Sequence, residues 1–283
     1  MELSVYSPIL TRRMYAEPDE AIKHARSLGI TAVEVFGNEL EKLSLVEVQK
    51  YYNEYDIKIS GIVQGAYLSD PDAGVRASEV ERVKRVVNLA SASGVKHVMV
   101  APELRTIGAG TQVQTREDKL FVRDMIICSM NEIVTYAKGS GVTLTLENFS
   151  MHTHPFSTID EMAYMLEQIP NLKYTLDAGN FYCVKEDVLS AYQKLKGYIY
   201  NMHIKDWVLD EFGYIIRPEL PALNGCAIGE GILPLTELLS EIKQDGFDGE
   251  ILLEVNSISI TKMIIENSVN FVEKNWVTSS LLK

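Results

Sequence analysis

GVTLTLENFSMHTHPFSTIDEMAYMLEQIPNLKYTLDAGN (141–180) reads as a strand, a helix and a second strand. The apolar runs VTLTLENF (142–149) and LKYTLDAGN (172–180) flank a pattern of helical period over 158–168. Strands that alternate with helices imply a parallel sheet. The same alternation extends in both directions. Upstream stand LSVYSPI (3–9), TAVEVFG (31–37), IKISGIVQGAY (57–67) and KHVMVAPE (96–103); downstream stand YIYNMHIKDW (198–207) and GEILLEVN (249–256). Helical patterns fill the intervals. One opens at Pro18 and stops at Gly29, with proline at the start and glycine past the end. Another runs from Val75 to Ser93, puts Val80, Val83, Val87 and Ala90 on one face, and is followed by Gly94. Others cover about 44–55, 115–138, 187–196, 234–244 and 261–274.

Eight β-then-α units fit the chain end to end, which predicts an α/β fold: a single (β/α)₈ TIM barrel domain over residues 1–283. An open doubly wound sheet would more often carry a glycine-rich phosphate turn after its first strand, and SPILTRR (7–13) has no glycine. The connection from Trp207 to Pro234 is long, shows no clear secondary structure, and falls after strand seven on the catalytic face. A loop of that kind is usually functional.

Bulk composition narrows the partners. The net charge of −12 opposes nucleic acid and anionic membranes, and no local basic patch compensates. No run of about 18 uncharged apolar residues suggests a membrane span. The first residues, MELSVYSPILTRRMY, lack the basic head, apolar centre and cleavage site of a signal peptide. Cys128, Cys183 and Cys226 are too few and too scattered for a disulfide framework or a cysteine zinc site, and fit a reducing cytoplasm. The expected location is cytoplasmic.

The chemistry lies at the ends of the last four strands. Side chains alternate across a strand with period two. Thr143, Thr145 and Glu147 therefore share a face, as do Lys173, Thr175 and Asp177; Asn201, His203 and Lys205; and Glu250, Leu252 and Glu254. The opposite faces are apolar and suit contact with helices. The polar sets then point into the barrel, and Glu147, Asp177, His203 and Glu254 reach its C-terminal mouth, where barrel active sites are built. Any one of these acids alone reads as an ordinary strand-end residue. In phase at consecutive strand ends, they read as one site. Three carboxylates crowded together repel one another, and a bound cation removes the difficulty. Three carboxylates and one imidazole suit Mn²⁺ first, with Mg²⁺, Co²⁺ or Zn²⁺ as alternatives.

At LENF (146–149), LDAGN (176–180), HIKD (203–206), GEG (229–231) and LLEV (252–255) the chain resembles the xylose-isomerase-like barrel superfamily. Within it the resemblance is to the sugar phosphate isomerase/epimerase group, over nearly the whole chain. The segment from Asp70 to Val100, with Arg76 leading a long helix, resembles the same group. The resemblance implies that Glu147, Asp177, His203 and Glu254 hold one catalytic divalent metal, and that Glu147 and Glu254 also move protons. It implies an isomerase or epimerase acting on a sugar, sugar phosphate or related polyol or keto substrate through an enediolate. A metal-dependent dehydratase is the alternative on the same scaffold. An endonuclease-like member and a non-catalytic sugar-binding barrel stand behind it. The partner implied is a small carbohydrate, and the assembly a homodimer or homotetramer. Many members carry histidine three residues after the strand-six aspartate. Here that residue is Asn180, which can hydrogen-bond a sugar hydroxyl but cannot exchange a proton near neutral pH. That favours a single metal.

Lys205 is in phase with His203 and is a candidate to polarise a substrate oxygen, against the plain reading of a lysine paired with a nearby acid. His152, just past strand five, is a candidate for substrate contact, and His154 less so. Arg217, in the long connection, is the candidate for an anionic substrate group, against a surface ion pair. Glu34 and Glu103 sit at strand ends on the mouth side and are candidates to bond substrate hydroxyls, against the stronger reading of structural hydrogen bonding within the mouth. His24 and His97 receive no role.

Overall fold

The structure, a computed structural model, describes residues 1–7, 18–40, 44–107, 110–213, 215–217, 220–256 and 261–277. Eight parallel strands close into a barrel: β1 (Glu2–Tyr6), β2 (Ala32–Phe36), β3 (Lys58–Ala66), β4 (His97–Pro102), β7 (Thr143–Glu147), β8 (Lys173–Asp177), β9 (Ile199–Ile204) and β13 (Glu250–Leu253). Their order around the barrel is their order in the chain, and β1 closes it by pairing with β13, Glu2 opposite Glu250. Each of these strands falls within one of the segments the sequence singles out, except that β1 begins one residue earlier, at Glu2.

Helices cover the outside: α1 (Pro18–Ser27), α2 (Leu45–Asn53), α3 (Ala73–Ser93), α4 (Arg116–Ala137), α5 (Ile159–Gln168), α7 (Val188–Leu195), α8 (Leu235–Gln244) and α9 (Lys262–Val277). Their starts are encoded locally. Ser44 with Glu47, Thr115 with Asp118, and Thr158 with Glu161 form reciprocal capping boxes at α2, α4 and α5. Asp72 caps α3, and Gly94 ends it in the left-handed region at φ 76°. Val80, Val83, Val87 and Ala90 are the buried face of α3. The apolar layer between strands and helices includes Leu144, Leu146, Tyr174, Leu176, Met202, Ile204, Ile251 and Leu253, the parity opposite to the polar sets. His24 of α1 meets Glu266 of α9 at 2.9 Å, joining the first and last helices across the closure. No helix among the described residues is long and apolar enough to cross a membrane.

Two departures from the sequence reading bear on the mouth. β8 ends at Asp177, and a short helix, α6 (Ala178–Cys183), begins where the sequence reading continues the strand to Asn180. Asp177 is the cause: its carboxylate accepts the Asn180 N–H at 2.8 Å and caps the new helix. The long connection is also structured. Strands β10 (Trp207–Leu209), β11 (Ile215–Arg217) and β12 (Leu220–Gly225) form an antiparallel sheet in the order β10-β12-β11. A two-stranded ribbon, β5 (Thr106–Ile107) and β6 (Gly110–Thr111), follows β4.

Candidate active site

Strand register brings the polar sets together. Asp177 lies opposite His203, Thr175 opposite Asn201, and His203 opposite Leu252, two residues before Glu254. Glu147 ends β7 and lies opposite Thr175. One potential ligand atom from each of Glu147, Asp177, His203 and Glu254 falls within 4.8 Å of the others. Asp177 and His203 are fully buried, whereas the side chains of Glu147 and Glu254 keep 13% of their exposure. The site therefore has a closed floor and two acids at its open rim. In barrel order the strands run β13, β9, β8, β7, so Glu254 and Glu147 stand at the two ends of the arc.

The electrostatics follow from this crowding. His203 Nδ1 faces the acids, 2.6 Å from Glu147 Oε1 and 3.7 Å from Glu254 Oε2. Burial opposes charge on the imidazole, but Glu34 and Glu147 outweigh it and raise its pKa well above the ordinary value. Lys205 is buried with its ammonium 2.7 Å from both Asp177 Oδ2 and Glu254 Oε1. Burial would discharge the lysine, but Asp177, Glu254 and Glu147 hold its pKa up. Burial also pushes Glu254 up, yet Lys205 and His203 overcome it and keep that carboxyl below its usual range. Asp177 goes the other way: burial, with Glu254 and Glu147, raises it against the pull of Lys205.

The donor set fits a divalent cation. Three carboxylates and an imidazole are the ligands such ions take. Asp177 spends Oδ1 on its helix cap, while its buried Oδ2 lacks a hydrogen bond of proper geometry and meets only the Lys205 ammonium. His203 presents Nδ1, not Nε2, to the cluster.

Comparison with known proteins agrees with the fold. Residues 22–275 match the family model of the xylose isomerase-like TIM barrel. The chain belongs to this family. No curated protein matches it in sequence. Solved structures similar to it include the probable 3-DHS dehydratase AsbF of Bacillus anthracis, at TM-score 0.75 and 15% identity, covering 96% of this chain and 99% of that one. The IOLI protein with a bound zinc atom is similar at TM-score 0.74 and 16% identity, covering 99% of both chains. An L-ribulose 3-epimerase is similar at TM-score 0.75 and 16% identity, covering 99% of this chain and 96% of that one. At such identities the likeness is one of fold.

Within this xylose isomerase-like barrel, the other candidate residues are placed unevenly. Lys205 sits at the cluster. Asn180 is buried beside it: its Nδ2 donates to the Asn148 carbonyl at 2.9 Å, and its Oδ1 lies 3.4 Å from Lys205 Nζ. Asn180 thus holds the lysine and the end of β7 together. His152 is exposed in the loop after β7, and no hydrogen bond described for the cluster reaches it. Arg217 ends β11, and its side chain lies outside the described residues. His154 is buried against Phe149 and Phe156, with ring centroids 4.1 and 5.5 Å away.

Tyr6 and His97, which the sequence reading left without a site role, also contribute, and so does Glu34, read there as a structural hydrogen-bonding residue. Tyr6 ends β1 with its hydroxyl 2.9 Å from His203 Nδ1. Burial, then Glu254 and Glu147, keeps its phenol protonated. Glu34 lies fully buried below His203, and His97 is buried beside Glu34. Tyr6 shares parity with Ser4, and His97 with Met99, so the period-two rule used for the later strands would have pointed both inward.

Proposed function

We propose that this chain is a divalent-metal-dependent isomerase or epimerase acting on a sugar, sugar phosphate or related polyol or keto compound. The convergence of Glu147, Asp177, His203 and Glu254 ligand atoms within 4.8 Å at the barrel mouth carries the reading. The resident ion is Mn²⁺ on this proposal, because carboxylate oxygens dominate the donor set and one imidazole completes it. A divalent ion held there would draw electrons from a substrate carbonyl and an adjacent hydroxyl, and so acidify the proton on the carbon between them.

The chain's own groups handle that proton. Glu147 and Glu254 flank the arc and are the partly exposed members, so a substrate entering the mouth meets one on each side. Glu147 takes the carbon-bound proton from one face, and Glu254, having first drawn a proton from the Lys205 ammonium 2.7 Å away, delivers it from the other, inverting the carbon. Delivery to the neighbouring carbon instead moves the carbonyl. Lys205 keeps Glu254 ionised and directs its ammonium toward a substrate oxygen; Asn180 steadies the lysine. The buried Asp177 and His203 close the floor against water. His152 and Arg217 extend the substrate contacts from the loops. The acidic surface fits a small polyol rather than a nucleic acid, and the three unbridged cysteines fit a cytoplasmic enzyme.

Metal analysis of the purified protein is expected to show about one divalent ion per chain. Saturating Mn²⁺ at about 100 times its Kd should stabilise the fold by roughly 2.7 kcal/mol. A protein that takes up no divalent ion when supplied with it is not this enzyme. A screen of ketoses, inososes and hydroxypyruvate in D₂O, followed by NMR, reports deuterium uptake at a substrate carbon, and loss of water in the same spectra would mark a dehydratase. Glu147→Gln is expected to abolish the uptake while leaving the fold intact; persistence of exchange would remove Glu147 from the role of base.

A further inference from the structure

Beneath the acidic cluster lies a polar ring inside the barrel, hydrogen-bonded at every link but one. Glu34 Oε1 accepts the Asn201 amide at 2.9 Å. Thr175 Oγ1 lies 2.7 Å from Asn201 Oδ1 and 2.7 Å from Thr145 Oγ1. Thr145 Oγ1 lies 2.8 Å from His97 Nε2, and His97 Nδ1, buried without a hydrogen bond, lies 3.4 Å from Glu34 Oε1. One atom of Glu34 is left over. Its Oε2 is buried with no hydrogen bond, and so is His203 Nε2. The two face each other at 3.4 Å.

Orphaned buried polar atoms are rare and costly. A proton on His203 Nε2 satisfies both at once, because an N–H there points at a carboxylate. It also settles the other nitrogen once a cation displaces the proton there: an imidazole that keeps its Nε2–H then has its lone pair on Nδ1, the atom that faces Glu147 and Glu254. Imidazoles that bind metals usually donate their second N–H in this manner, which fixes tautomer and ring orientation.

We infer that Glu34, from the floor of the barrel, is the positioning residue that holds the proton on His203 Nε2 and turns His203 Nδ1 toward the Glu147, Asp177 and Glu254 carboxylates. The inference rests on the proposed metal reading and adds a residue from β2, outside the arc of ligand strands. Glu34 is held in turn by Asn201 and His97, and Gly61 makes room: a Cβ there would come within 2.6 Å of His97 Nδ1 and 3.3 Å of Glu34 Oε1. The carboxylate thus has one free oxygen and one direction in which to use it.

Glu34→Gln preserves the shape and removes the charge. Titration with Mn²⁺, followed by calorimetry, should show roughly 10- to 100-fold weaker binding than wild type. Proton NMR of ¹⁵N-histidine protein, without metal and again with Zn²⁺, should show a low-field Nε2–H resonance for His203 in the wild type that moves upfield in the variant. Thr175→Val breaks the ring without touching the Glu34–His203 contact, and should keep that resonance and bind Mn²⁺ within a few-fold of wild type. Circular dichroism and melting confirm that each variant is folded. Glu34→Gln protein that binds Mn²⁺ as tightly as wild type, or a Thr175→Val protein that loses as much affinity, overturns the assignment. Wild type that binds neither ion overturns the metal reading instead. The metal-free spectra then decide Glu34 alone: a low-field Nε2–H that moves in the variant upholds its hold on His203, and its absence rejects it.

Discussion

Lys205 is the side chain on which the cluster's charge balance turns. It contacts two carboxylates, and removing one partner of a buried ion pair leaves the others uncompensated. Lys205→Met is expected to lower stability by about 3–5 kcal/mol in chelator-treated protein. Added Mn²⁺ should recover much of that loss, since a cation supplies the missing charge; urea titrations with and without the ion measure both values, and an unchanged deficit in Mn²⁺ counts against a cation site. Gly179 serves the same lysine. A Cβ at Gly179 would collide with the Lys205 stem and the Trp207 indole nitrogen, so Gly179→Ala should destabilise by about 1–3 kcal/mol through overpacking. Equal melting temperatures for wild type and variant would show that the lysine has room to move. At this scale the cluster was legible because Glu147, Asp177, His203 and Glu254 each close an apolar run in one parity. Tyr6 and His97 were not, and Glu34 was legible only as a structural hydrogen-bonding residue, because their value lies in partners far along the chain: Asn201 is 167 residues from Glu34, and His203 is 197 from Tyr6. Local pattern says that such a side chain points inward, but not what it meets there.

Strands and helices were read almost to their ends, because barrel elements are short and amphipathic and several of the helices carry side-chain caps. The miss at α6 arose from an aspartate with two local meanings. Asp177 ends an apolar run like a strand residue and caps a helix like an N-cap, and only the Asn180 N–H on its carboxylate decides between them. The β10–β12–β11 sheet escaped because two of its strands have only three residues, too little period to detect, and the third, of six, starts at a Leu-Pro pair without clean alternation. Its anchor is Asp206, two residues after the end of β9. Asp206 Oδ2 accepts the backbone N–H groups of Gly229 and Gly231 at 3.0 and 2.9 Å, and Oδ1 those of Trp207 and Leu233 at 2.9 and 3.2 Å. One carboxylate therefore ties both ends of the excursion to the residue beside Lys205. Asp206→Ala leaves those donors without their acceptor. Hydrogen exchange across 207–233 should quicken by at least tenfold relative to the barrel strands, corresponding to 1–3 kcal/mol for an unsatisfied buried group. Uniform protection across both regions would mean that the excursion is held by its own strand pairing.

At the scale of the whole molecule, stability should depend on pH in a direction set by His154. Its ring lies buried between Phe149 and Phe156, and burial, with the Lys119 ammonium nearby, lowers its pKa from 6.5 to about 3. In the unfolded chain the imidazole takes up a proton as pH falls through about 6.5, while in the folded protein it stays neutral until about pH 3. Between those values the unfolded state binds more protons, so acid favours unfolding, with a limiting slope of about 1.4 kcal/mol per pH unit from this one residue. Above about pH 7 the residue contributes no slope, because both states are neutral. The residue's share is isolated by difference. His154→Phe keeps an aromatic ring against both phenylalanines and removes the titration. Urea unfolding free energies at pH 7, 6 and 5 should fall more steeply for wild type than for this variant, by about 1 kcal/mol per pH unit below pH 6. Parallel curves for the two proteins would show that the imidazole reaches water in the folded state, and that the loop after β7 opens more readily than its packing implies.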